Sequence, residues 1–130
     1  VRADGQEAEL LTGRPVTDVA GAARAAAELR RRGPALVVLE VSGQGNLFAG
    51  PEGTWFVPDV ETEVVDPTGA GDALVATLTA ALTRRRPLEA AASMAVAAAA
   101  ATTGHAGGRP HLSRAELDRL RPRELETVRA

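Results

Sequence analysis

The 130-residue chain has no Cys, no Tyr, no Ile and no Lys, and all 15 of its basic residues are Arg. The missing Cys excludes disulfides, thiolate metal sites and cysteine catalysis, and it fits a reducing compartment such as the cytoplasm. The missing Lys excludes a P-loop phosphate site, a pyridoxal Schiff base and any lysine nucleophile. Aromatic residues are equally scarce, with one Trp and two Phe, and the formal charge is −2. A nucleic-acid binder would want a basic face and stacking rings, and neither is available. The longest uncharged stretch, Ala90 to His105, is shorter than a bilayer span and made mostly of Ala, so a membrane is not an expected partner either. The start, Val1-Arg2-Ala3-Asp4, has no signal-peptide pattern and no initiator Met, and a fragment of a longer protein is the expectation. The length suits one domain. Much of the 45% hydrophobic content is Ala, which buries little area per residue, so a self-sufficient core is not expected.

What is present reads as alternating helices and strands. Glu7 to Thr12 predicts a short helix that ends at Gly13, with Pro15 as a stop. Thr17 is placed to cap a second helix through Arg32, and Gly33 supplies its C-terminal signal. Ala35 to Val41 is an apolar run of buried-strand length, suited to a sheet covered on both faces. A turn over Ser42 to Asn46 follows, then short strands near Leu47 to Ala49, Thr54 to Val57 and Glu63 to Val65. Ala73 to Thr83 predicts a helix closed by Arg84-Arg85-Arg86, where cations suit the C-terminal carbonyls. Pro87 opens another helix through about Thr103, with nine Ala among the twelve residues from Ala90 to Ala101. Gly104 to Pro110 is a loop, Ser113-Arg114-Ala115-Glu116 a capping box for a last helix, and the tail from Arg121 is expected to fray. This order indicates an α/β layer protein.

The chemistry concentrates in Asp66-Pro67-Thr68-Gly69-Ala70-Gly71-Asp72, which leads directly into a helix. Two glycines around Ala70 let backbone N–H groups face outward unobstructed. A helix N-terminus carries about half a positive charge and unpaired N–H groups, so the segment predicts an anion cradle for phosphate. Asp72 would repel that phosphate unless it has a task, such as taking a proton from an attacking hydroxyl. The same four residues, Gly-x-Gly-Asp, also fit an ordinary tight turn in which Asp caps the helix. His105 and His111 are six apart, poor spacing for a metal, and the arginine triplets suit solvated helix ends. Trp55 and Ser93 read as structural.

Val64-Val65-Asp66-Pro67-Thr68-Gly69-Ala70-Gly71-Asp72-Ala73 closely resembles the signature of the ribokinase, or PfkB, family of carbohydrate kinases. Glu7 to Gly13 resembles the segment after that family's Asn-x-x-Glu motif, and Gly107-Gly108 its closing glycine loop. The resemblance runs from Asp4 to about Leu120. It implies the C-terminal part of a three-layer α/β/α fold, with residues 1–120 as the nucleotide-binding and catalytic portion and 121–130 as a tail. It implies Asp72 as catalytic base and the amides of Gly69, Ala70 and Gly71 as anion hole. Ser42, Gly43 and Gly45, with Gly71, would line the nucleotide. Glu7 would act through Mg²⁺, and Asp66 and Thr68 would hold a monovalent cation such as K⁺ in members that use one, with carbonyls near Ala101 and Gly107. The implied reaction passes phosphate from ATP to a sugar, sugar phosphate or nucleoside. The resemblance also leaves room for a homodimer of the full-length protein.

Three positions depart from the family pattern: Asp4 where Asn is usual, Ser42 in place of a turn glycine, and Ala95 in place of a polar residue. The family's acceptor-binding half and lid have no counterpart here, so the chain alone is not expected to turn over. A truncated, non-catalytic nucleotide-binding or interaction module is the competing expectation. A dinucleotide fold would need glycine at position 74, which is Leu74, and an acidic residue after a second strand, where Ala-rich helix lies.

Overall fold

The computed structural model describes residues 1–108 and 112–129, so His111 and the end of the expected 104–110 loop lie outside the described residues. The chain forms two compact units, one of Val1–Pro58 with the chain from Leu125, the other of Asp59–Glu124.

The first unit contains strands β1 (Arg2–Ala3), β2 (Val37–Val41), β3 (Gly45–Gly50), β4 (Gly53–Pro58) and β5 (Glu126–Thr127) and helices α1 (Gly5–Thr12) and α2 (Val19–Arg31). The sheet order is β1-β2-β3-β4-β5. β1 runs parallel to β2, and the remaining pairs are antiparallel. Alternate residues of β2 and β3 point to opposite faces, and all except Glu40 are buried. α2 packs on β2 and β3 through Ala22, Ala25, Ala26 and Leu29, a stripe at helical spacing. Its methyl groups bring the helix close, and the bulk comes from the sheet, where Leu39 and Leu47 are fully buried.

Three local readings are corrected here. Asp18, not Thr17, caps α2, its Oδ1 accepting from the Gly21 N–H at 2.6 Å. The turn after β2 ends at Gln44, two residues before Asn46, because Gly45 already pairs with Pro58 in the ladder. A Cβ at Gly45 (φ 154°) would sit 2.3 Å from the Val57 carbonyl oxygen, so this glycine is required by the close approach of β4. The tail does not fray throughout: Thr127 and Glu126 pair with Trp55 and Phe56, and Val128 packs against the core of the first unit.

The second unit consists of α3 (Ala70–Thr83), α4 (Leu88–Thr103), a short helical turn over Ala106–Gly108, and α5 (Arg114–Leu120). α4 packs against both α3 and α5. It is buried over most of its circumference, as a helix apolar all round must be. Ser93, buried within it, donates to the Pro122 carbonyl at 2.7 Å and accepts from Arg121 Nε at 3.1 Å, a structural bolt as expected. The strand expected at Glu63 to Val65 is absent. Instead the Val65 and Asp66 N–H groups both bond the Thr103 carbonyl, at 2.8 and 3.0 Å. That carbonyl is free because α4 ends there, and it holds the segment entering the glycine turn. Among the described residues no helix is long and apolar enough to cross a membrane.

Candidate active site

α3 and α4 both begin without a side-chain cap, α4 after Pro87, but only α3 begins on a left-handed glycine. α1, α2 and α5 each have a side-chain cap, from Asp4, Asp18 and Ser113. The residue at that position in α3 is Gly69, in the left-handed region (φ 80°, ψ 0°), and no side chain caps the helix. The Ala70 N–H bonds the Pro67 carbonyl at 3.3 Å, and the first helical bond runs from Ala73 to Gly69. Among the described residues nothing accepts from the N–H groups of Gly69, Gly71 and Asp72. The unpaired donors at this helix start are therefore Gly69, Gly71 and Asp72 itself, with Ala70 turned inward to Pro67. Sequence reasoning missed the Asp72 amide, although any residue in the first turn of a helix has an orphan donor.

Asp72 stands in that first turn with its side chain exposed and bonded to no described residue. A carboxylate acting as a cap would be bonded to a backbone N–H, so the tight-turn alternative loses its main element. What remains is an exposed carboxylate beside three free amides.

The turn is held from the opposite side. Asp66 Oδ1 accepts from the Thr68 N–H and Oδ2 from the Gly107 N–H, each at 2.9 Å. The Thr68 hydroxyl first, and then the Thr68 and Gly107 N–H groups, hold the Asp66 carboxyl below the ordinary aspartate value of 3.8. Gly108 (φ 65°) lies directly on Thr68: a Cβ there would meet the Thr68 carbonyl oxygen at 2.8 Å. A Cβ on Gly69 would in turn meet the Cα and carbonyl oxygen of Gly108 at 3.2 Å. Two glycine pairs far apart in sequence thus close on each other, with Asp66 as the clasp.

The resemblance implies that carbonyls near Ala101 and Gly107 join Asp66 and Thr68 in holding a cation. Gly107 presents its N–H to Asp66, the Ala101 carbonyl accepts from Gly104 at 3.2 Å, and the carbonyl engaged with the loop is that of Thr103. With three donors on its four acceptor sites, the Asp66 carboxylate retains one, and the side chain is only partly covered.

Glu7, Ser42, Gly43 and Gly45 belong to the first unit. Glu7 and Asp4 form a reciprocal capping box, Glu7 N–H to Asp4 Oδ1 and Asp4 N–H to Glu7 Oε2, both at 2.8 Å. The departure at Asp4 is therefore a sound helix start, and the other Glu7 oxygen carries no hydrogen bond among the described residues. Ser42, Gly43 (φ 70°) and Gln44 are exposed, and Gln44 Nε2 donates to the Thr17 carbonyl at 3.0 Å. Among the described residues no three His, Cys, Asp or Glu side chains gather as a metal cluster.

The pfkB family carbohydrate kinase model matches residues 2–114. The 1-phosphofructokinase of Escherichia coli K12 is 32% identical over 100 residues, covering 77% of this chain and 32% of that protein. The chain thus spans about a third of the length of this curated relative. Phosphofructokinase-2 from E. coli, solved in complex with potassium, superposes with a TM-score of 0.81 at 27% identity, over 92% of this chain and 39% of that one. Arabidopsis thaliana ribokinase, complexed with ribose and ATP, shares the fold at a TM-score of 0.79 and 23% identity, over 92% of this chain and 39% of that chain. These likenesses establish the ribokinase-like α/β fold expected from the signature.

Proposed function

The chain belongs to the pfkB family of carbohydrate kinases, and from that membership we propose that its glycine turn and Asp72 transfer phosphate from ATP to a sugar-like hydroxyl. The observation that carries this reading is the uncapped start of α3, with free Gly69, Gly71 and Asp72 amides under an unbonded carboxylate. In the transfer, an acceptor hydroxyl gives its proton to an Asp72 oxygen as the new O–P bond forms and the bond to the leaving phosphate oxygen breaks. The amides meet the charge on the transferring group, and they need no reorganisation because Asp66 and Gly108 already fix the turn. Positioning and charge stabilisation suffice for this chemistry, which needs no covalent intermediate.

Ser42, Gly43 and Gly45 are assigned to the nucleotide side, with Gly45 also serving the strand pairing. Mg²⁺, when bound, would neutralise the nucleotide phosphates, and Glu7 would hold it through its free oxygen. A monovalent cation at Asp66 and Thr68 is supported by the charged state of Asp66 and by the potassium complex of the phosphofructokinase-2 relative. Among acceptors, the two phosphofructokinase relatives favour a sugar phosphate. The chain spans 32% of one of those relatives, which supports acceptor recognition by segments other than these and no turnover by the chain alone. The reaction is assigned to the cytoplasm.

The test is Asp72→Asn in a protein that contains this chain and phosphorylates a sugar. Transfer should fall by about 10²–10⁴ while ATP affinity holds. Residual activity near wild type would remove Asp72 from the role of base. ATP binding with no transfer to any sugar, even in wild type, would support the non-catalytic module instead.

A further inference from the structure

The second unit contains a groove of about 590 Å³ bordered by α3, α4 and α5, at the C-terminal half of α3. The lining begins at Ala76, one turn past Asp72. At a rise of about 1.5 Å per residue, its first arginine, Arg84, stands about 18 Å along the helix from the Asp72 amide. Its lining includes Arg84, Arg86, Arg114 and Arg121 against a single carboxylate, Asp118, and alanines of α3 and α4 make much of the rest. We propose that this groove is a binding site for a small organic phosphate, separate from the glycine turn.

Helix stability does not account for all of these arginines. Cations suit the C-terminus of α3, but Arg114 is the first residue of α5, where the helix dipole disfavours positive charge. The guanidiniums of Arg84, Arg86 and Arg114 bond no carboxylate or carbonyl among the described residues, and Arg121 is tied only through Nε to Ser93. The turn after α3 sorts its triplet. Arg86 N–H bonds Ala81 O at 3.0 Å and Arg85 N–H bonds Leu82 O at 2.9 Å, with Arg85 at φ 57°. Glycine is the usual residue at such a helix exit, and Arg85 is the one non-glycine residue at positive φ among the described residues. Arg84 and Arg86, on either side of this reversal, both line the groove, and Arg85 does not.

The chemistry of the lining selects the ligand. Guanidinium forks bind phosphate oxygens bidentately and remain charged at any relevant pH. An alanine floor offers apolar contact without filling the space, and the volume falls in the range of small-molecule sites. A ligand with a phosphate and a compact carbon body meets both, and Asp118 can accept from a hydroxyl on that body.

The test is ¹⁵N NMR of the full chain, titrated separately with ribose 5-phosphate and inorganic phosphate. The Nε–Hε signals of Arg84, Arg86, Arg114 and Arg121 report the groove, and the Gly71 and Asp72 amides report the glycine turn. The groove signals should shift together with one Kd, distinct from that of the turn, and ribose 5-phosphate should bind the tighter of the two. Arg84→Gln with Arg86→Gln should weaken the groove by about tenfold per arginine and leave the Gly71 titration unchanged. Groove signals that do not move, that titrate identically in the double variant, or that favour inorganic phosphate would each overturn the proposal. Silence of the Gly71 and Asp72 amides alone would count against the glycine turn and leave the groove standing.

Discussion

Gly108→Ala and Gly107→Ala should have very different consequences, although both replace adjacent glycines in the left-handed region. Gly107 has φ 73° and open space where its Cβ would go. Alanine there incurs only the backbone term, about 1–2 kcal/mol. Gly108 has φ 65°, and its Cβ would stand 2.8 Å from the Thr68 carbonyl oxygen, 3.1 Å from the carbonyl carbon and 3.2 Å from Cγ2. Two of these three atoms are backbone and cannot rotate away, and they belong to the turn that Asp66 clasps. Forcing them apart adds an overpacking cost of about 1–3 kcal/mol.

Urea denaturation followed at the amides of α3 and α4 would give both values at once. The midpoint should drop further for Gly108→Ala than for Gly107→Ala, with the slope unchanged. Gly108→Ala should also displace Thr68 and Gly69 and weaken phosphate at the Gly71 amide, an effect that Gly107→Ala lacks. Equal midpoints and equal phosphate shifts for the two variants would refute the close packing of the two glycine pairs as the device that sets the turn.

Because the Asp66 carboxyl is held below its ordinary value, its contribution to the folded state is complete above the unfolded aspartate value, about 3.9, and is lost as pH falls through the lower folded value. Protection of the Gly107 amide from hydrogen exchange should thus hold from neutral pH down to about 4 and vanish in stronger acid. Asp66→Asn should show weak protection throughout, and a Gly107 amide indifferent to both changes would contradict the clasp. Gly45→Ala, whose Cβ would meet the Val57 carbonyl oxygen at 2.3 Å and the Pro58 Cα at 2.8 Å, should destabilise the first unit by about 3 kcal/mol or more. A loss under about 1 kcal/mol in thermal denaturation would show that β4 can move aside.

The parts of the fold legible in the sequence were those fixed by local chemistry. The Ala tract of α4, the Ser113 cap of α5 and the apolar run of β2 each have a signal within a few residues and appear where expected, although only the Ser113 half of the expected capping box forms and Glu116 faces His105 instead. Asp18 displaced Thr17 as cap because neighbouring residues with similar capping chemistry compete, and only the chain path decides between them. Val64-Val65 has strand composition but no strand, since its backbone is taken by the Thr103 carbonyl, 38 positions away for Val65. β5 was illegible for the same reason: Glu126-Thr127 has no strand pattern of its own and is ordered by the free edge of β4. In the candidate site, the glycine turn and Asp72 stood out at once, whereas the contact between Gly69 and Gly108 is a relation between distant segments that no local pattern encodes.

α1 and α3 pose the same problem at their N-termini and solve it in opposite ways. In α1 the cap residue is Asp4, and Glu7, three positions on, reaches back to the Asp4 N–H, so two orphan donors are satisfied reciprocally. In α3 the cap residue is Gly69, and the acid three positions on is Asp72, one methylene shorter than Glu and bonded to nothing described. A side-chain cap is worth about 1 kcal/mol, and α3 forgoes it. Its start is held from outside the helix, by Asp66 bonding Thr68 and Gly107 and by Gly108 against Thr68. Stability supplied from outside leaves the first-turn amides and the carboxylate uncommitted. A self-capped helix start spends its donors on its own chain; this one leaves them unbonded. Under the proposed function, it is this separation of support from donors, more than the glycines themselves, that would suit the turn to phosphate.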